Sequence, residues 1–209
     1  EMDTFGFCVS SFSEAMELRS AGITKPVLIL GYTEPNKAYE LFKNNLTQTV
    51  FSLEYAKALN DQALYPIECH VKLDTGMGRL GFDLMCDKDK AYSEIRSLLN
   101  MHNLKFTGMF SHFPAADAVD EKSLVLTQKQ VELYSDTARL MESWGFNLKY
   151  LHGQNSAGIA RKLNGSFNTM RAGIILYGHN PSDEVIFPQL KPAMSLKTVV
   201  THIKTVKAG

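Results

Sequence analysis

Phe5-Gly6-Phe7-Cys8-Val9, Ser11-Phe12-Ser13-Glu14 and Pro26-Val27-Leu28-Ile29-Leu30-Gly31 are the stretches whose reading decides the fold. The first and third are short apolar runs with the look of strands. Between them, Ser11 and Glu14 form a capping box that satisfies two free amides where a helix starts, and Gly22 stops that helix. A strand, a helix and a second strand in this order make one unit of a parallel sheet.

Outward from this unit the pattern recurs. Pro35 suits the first turn of the next helix. Residues 47–51 form a weaker strand, residues 52–64 a helix, residues 68–73 a strand, residues 88–99 a helix and residues 106–113 a strand. Thr127 and Gln130 are expected to cap a long helix that puts Val131, Tyr134, Ala138 and Met141 on one face and ends at Gly145. Strands at 149–152 and 170–177, with a short helix near 157–163 between them, complete seven strands. The expected fold class is α/β: a (β/α)8 TIM-type barrel lacking its first strand, with a doubly wound open sheet as runner-up. After Gly178 the turn-rich Asn180-Pro181-Ser182-Asp183 breaks the pattern, and residues 196–206 are dense in β-branched side chains. The expected domains are therefore a barrel over 1–185, then a linker and the first strand of a C-terminal all-β domain over 186–209.

Composition narrows the partners. The 209 residues carry 22 basic and 22 acidic side chains, for a formal net charge of zero. No basic cluster interleaves with aromatics, which argues against nucleic acid. Cys8, Cys69 and Cys86 are odd in number and share no metal-ligand spacing, so a reduced, cytoplasmic setting fits them best. No apolar run approaches membrane-spanning length, and Glu1-Met2-Asp3 does not read as a secretory leader.

In a parallel barrel the chemistry sits at the carboxyl ends of the strands. Four clusters fall there: Lys72 to Arg79, Ser111-His112-Phe113, His152 to Gly158, and Arg171-Ala172-Gly173-Ile174. Asn155-Ser156 precedes a helix whose free amides welcome an anion, and Gly173 lets backbone approach a ligand. Either feature alone reads as a helix cap or a packing glycine; together, on the last two strands, they favour a phosphate site. Arg79 and Arg171 are cations near buried strand ends, where an unpaired charge is costly. For Arg79 a solvated loop position competes evenly. Lys72 interrupts Val71 and Leu73, so it is either an inward lysine that is neutralised, paired or modified, or an outward one that snorkels to solvent. His112 and His152 close two strands and with Asp117 would suit a metal-dependent hydrolase, but no HxH or HExxH spacing supports one.

Read together, KLDTGMGRLG (72–81), Ser111-His112-Phe113, HGQNSAG (152–158), Arg171 to Ile174 with Tyr177-Gly178, and Leu190 to Leu196 resemble the alanine racemase family. The likeness runs in order over nearly the whole chain. It implies a pyridoxal 5'-phosphate enzyme interconverting L- and D-alanine for peptidoglycan precursors, homodimeric at full length. Arg79 would orient the substrate carboxylate, with Lys72 as a carbamylated lysine holding it. His112 would stack on the cofactor ring, and Arg171, backed by His152, would meet the ring nitrogen. Asn155, Ser156, Gly173 and Ile174 would hold the phosphate. The family's cofactor-linking lysine lies in an AxYGHG-like string and its second base is a tyrosine of the β domain. Neither occurs here, so the resemblance implies a barrel cut short at both ends and inactive by itself. Gly153-Gln154 departs from the small residues usual in that loop. Serine is the rival substrate on the same scaffold, and a non-catalytic pyridoxal-phosphate barrel is the rival class, against which the stretch 190–209 stands.

Overall fold

The structure, a computed structural model, describes residues 4–207. Its strands are β1 (Phe7–Val9), β2 (Val27–Ile29), β3 (Leu46–Val50), β4 (Ile67–Asp74), β5 (Phe82–Asp83), β6 (Leu104–Phe110) and β7 (Tyr150–His152). Six of them pair side by side in the order β1-β2-β3-β4-β6-β7, all parallel, while β5 pairs only with the end of β4. A doubly wound sheet reverses its strand order partway; this one advances in one direction, as a barrel wall does. The result is a curled parallel sheet with helices outside it.

The helices are α1 (Phe12–Ser20), α2 (Ala38–Lys43), α3 (Leu53–Gln62), α4 (Lys88–Ser97), α5 (Glu121–Ser143) and α6 (Ser156–Ala160). Ser11 caps α1 as expected, accepting from the amide of Glu14, and Ser52 caps α3 in the same way through the amide of Tyr55. Glu14 reaches back one residue further than a capping box requires, to the amide of Ser10. The buried stripe Val131, Tyr134, Ala138 and Met141 seats α5 on the sheet. Gly145, at a φ of +101°, turns the chain after it.

Three expectations need correction. Thr127 does not cap α5. Asp120 does, accepting from the amide of Ser123, and the helix begins at Glu121. Thr127 and Gln130 are buried inside it, and Gln130 donates to the carbonyl of Thr75. Asp120 offers the same cap chemistry as threonine two turns earlier, and nothing between them breaks a helix.

Residues 170–177 do not form a strand. One amide, that of Arg171, bonds to the carbonyl of Gln154. The amide of Gly173 is then taken by Oγ of Ser156, and Ile174–Tyr177 closes into a 3-10 helix. The extra strand β5 was not anticipated. Residues 196–206 pair with no strand among the described residues, and Leu196, Val199, Val200, Ile203 and Val206 are exposed.

Candidate active site

At the carboxyl ends of the strands lies a cleft of about 720 Å³. It gathers Lys72 from β4, Arg79 from the loop behind it, His112 beyond β6, Asn155 and Ser156 at the start of α6, and Arg171, Gly173 and Ile174. His152, at the end of β7, lies beneath this group and is buried. The nine candidate site residues thus lie in this cleft or directly beneath it.

The base of the cleft is built around Arg171. Its Nη1 donates to Nδ1 of His152 at 2.8 Å and to the His152 carbonyl at 2.7 Å, and its Nη2 donates to the Ser111 carbonyl at 2.7 Å. The guanidinium lies 5.3 Å from the centre of the Phe110 ring, which also stacks on His152 at 4.8 Å. These contacts hold Arg171 by donors alone, and among the described residues no carboxylate pairs with it.

Lys72 faces the cleft rather than snorkelling outward. It is 5% exposed, its Nζ donates to the Leu73 carbonyl at 2.9 Å, and it sits 5.3 Å from the Phe110 ring. Burial first, then the positive fields of Arg171 and Arg79, bring its pKa down to about 7, while Asp74 pulls the other way. Burial and the same cations, Lys72 included, bring His112 down to about 4.

Arg79 is exposed, but its loop is not loose. The Asp74 carboxylate accepts from four successive amides: Gly76, Met77 and Gly78 through Oδ1 at 2.9, 2.9 and 3.1 Å, and Arg79 through Oδ2 at 3.0 Å. Gly76 and Gly78 take φ values of +123° and +68°, which let the chain wrap one carboxylate this tightly. Asp74 is a functional residue that sequence reasoning missed, although a carboxylate leading a Gly-x-Gly run at a strand end was a usable signal.

The opposite wall suits an anion. Asn155 caps α6 through the amide of Gly158 at 2.9 Å, leaving the amides of the first turn without intrahelical acceptors. Ser156 and Gly173 meet there, amide to hydroxyl at 3.1 Å, and the nearest atom to a side chain added at Gly173 would be 3.8 Å away. Gln154, the unusual residue of this loop, is turned away: its Nε2 donates to the Leu163 carbonyl at 2.7 Å.

Fold and site define an α/β-barrel protein whose strand-end cleft gathers Lys72, Arg79 and Arg171, with Asp117 the acidic side chain on its lining. Residues 3–181 match the family model described as alanine racemase, N-terminal domain. The chain is similar to the alanine racemase of Clostridium novyi, 38% identical over 206 residues that cover 96% of this chain and 52% of that protein. Among solved structures, alanine racemase of Clostridium difficile 630 superposes with a TM-score of 0.81 at 36% identity, over 91% of this chain and 52% of that one. A histidine racemase from Leuconostoc mesenteroides matches with a TM-score of 0.72 at 27% identity, over 91% and 50%. The chain belongs to the alanine racemase family and carries its N-terminal barrel domain. It spans about half the length of the curated relatives it matches.

Proposed function

We propose that this chain is the cofactor-binding barrel of a pyridoxal-phosphate-dependent alanine racemase, a cytoplasmic isomerase that supplies D-alanine for peptidoglycan and works as a homodimer. Residues 1–185 are the barrel, and residues 186–209 lead into a β domain. The observation that carries the reading is the convergence of three cations, Lys72, Arg79 and Arg171, on one cleft with a single acidic side chain, Asp117, on its lining, facing the Ser156 and Gly173 wall. A phosphorylated ligand with a hydrogen-bond-accepting ring fits that donor set at both ends. Among the solved structures similar to this chain, alanine racemase of Clostridium difficile 630 has been determined in complex with cycloserine, and the names of the curated relatives favour alanine over serine as substrate.

Bound pyridoxal phosphate supplies an electron sink that makes the Cα proton of an amino acid labile. The chain's own residues divide the remaining work. Asn155, Ser156, Gly173 and Ile174 hold the phosphate, and His112 walls the ring. Arg171 donates a hydrogen bond to the ring nitrogen but, with its very high proton affinity, does not give up the proton. That limits charge withdrawal and suits proton exchange at Cα over side reactions. Arg79 orients the substrate carboxylate, and Lys72, as a carbamate, turns a destabilising cation beside Arg79 into an anion that pairs with it.

Calorimetric titration of pyridoxal phosphate into the chain tests the reading. Saturable binding that weakens in Ser156→Ala supports it; no binding, or binding indifferent to Ser156, overturns it.

A further inference from the structure

We propose that His70 is a positioning residue, the far end of a neutral hydrogen-bond relay from Arg171 through His152 that holds the Arg171 guanidinium at the base of the cleft. What Arg171 meets there rests on the cofactor reading; the relay itself concerns only atoms of this chain.

Nη1 of Arg171 lies 2.8 Å from Nδ1 of His152, and Nε2 of His152 lies 2.9 Å from Nδ1 of His70. A guanidinium has donors only and keeps its proton. Nδ1 of His152 must therefore accept, because a proton on it would face an N–H. His152 is then neutral and carries its proton on Nε2, which points at His70. Nδ1 of His70 must accept in its turn, so His70 is also the Nε2–H tautomer. Each donor points away from Arg171, and neither ring can turn over without breaking a buried bond.

The surroundings favour the neutral forms. His152 and His70 are 3% and 7% exposed, with Phe110 stacked on the first and Tyr150 tilted beside the second at 5.5 Å. Burial and then Arg171 hold His70 down to about 4. Burial, then Arg171, His70 and Lys72, hold His152 well below its usual range.

The backbone is shaped to admit the His70 ring. Between β4 and β6 the register slips after Cys69, so that His70 pairs with Gly108 and Thr107 is left over. Such a bulge re-aims a side chain. A Cβ at Gly108 would lie 2.6–2.7 Å from three atoms of the His70 ring. The bulge and the glycine thus serve one imidazole, and they do so at the strand that leads to Ser111 and His112.

The test is long-range 1H–15N correlation NMR on the whole chain labelled with 15N-histidine, without cofactor, with exposed His102, His179 and His202 for comparison. Both buried rings should show the Nε2–H pattern, and His152 should show a downfield Hε2 protected from exchange. That proton should be lost in His70→Phe, retained in His70→Asn, whose amide oxygen stands in for Nδ1, and lost again in Gly108→Ala, which keeps the imidazole but displaces it. An Nδ1–H tautomer at either ring overturns the proposal without any variant, as does an unchanged His152 proton in His70→Phe. Pyridoxal phosphate takes no part in these spectra, so failure of the relay and failure to bind cofactor are separate results.

Discussion

Lys72→Met removes a buried cation while keeping the length of the side chain. Lys72 is 5% exposed and its pKa falls from 10.5 to about 7 on folding, through burial and then Arg171 and Arg79. A cation with a lowered folded pKa destabilises the native state. The unfolded chain binds the extra proton between about pH 7 and pH 10.5, so stability rises with pH across that window and the penalty is complete below it. At 1.36 kcal/mol per unit, the shift corresponds to about 5 kcal/mol. Methionine forfeits the bond to the Leu73 carbonyl and the contact with Phe110, together about 2 kcal/mol. The variant should therefore be more stable by about 3 kcal/mol at pH 6, with the gain cancelling near about pH 9 and the wild type the more stable protein above it. Urea unfolding of both proteins across that range measures it. Equal stabilities at every pH, or a variant weaker than wild type at pH 6, would refute the reasoning.

The same lysine carries a chemical corollary. An amine whose pKa is about 7 is half neutral at neutral pH, and its nitrogen can bond to the carbon of carbon dioxide, releasing a proton and leaving an anionic carbamate. Bicarbonate should then stabilise the wild-type chain and not Lys72→Met, with native mass spectra showing one added carbon dioxide in the wild type alone.

Three other outcomes are expected. Asp74→Asn replaces one of two acceptor oxygens that hold four amides, so it should lose about 1–3 kcal/mol of stability in urea unfolding and loosen the Arg79 loop to proteolysis. Ser156→Ala removes a hydroxyl from the anion wall and should weaken pyridoxal-phosphate binding by about fivefold to tenfold in calorimetry. Arg171→Glu, placed in a chain that also carries both bases, should slow racemisation and raise transamination; a parallel fall in both rates would mean lost stability alone.

Much of the fold was legible because strands and helices here announce themselves locally. Residues 26–31 are an uninterrupted apolar run, and Ser11 is a cap with its partner three residues on. The misreadings came where two local signals competed or where a partner decides. Asp120 and Thr127 both offer cap chemistry, and only the burial of Thr127 within the helix and the bond from Ser123 to Asp120 settle which one acts. Residues 170–177 have strand composition, but a strand is stable only when its amides find a neighbour. The hydroxyl of Ser156 takes the amide of Gly173 instead. β5 is two residues long and has no pattern to read.

The site shows the same division, shifted one layer inward. Groups that touch a ligand must be polar at strand ends, and there polarity is conspicuous: Lys72, Arg79, His112, Asn155, Ser156 and Arg171 could be picked out of the chain. Groups that aim them lie within strands, where a histidine or an aspartate reads as an ordinary buried polar residue. His70 sits among Ile67, Cys69, Val71 and Leu73 with nothing to mark it. Its purpose emerges only when β7 brings His152 to 2.9 Å and Gly108, from a third strand, makes room. Three positions separated by 38 and 44 residues in sequence carry one function between them. The legible clue was the glycine. In a strand interior it forfeits packing and conformational entropy, so a glycine at 108 implies that something else occupies its space.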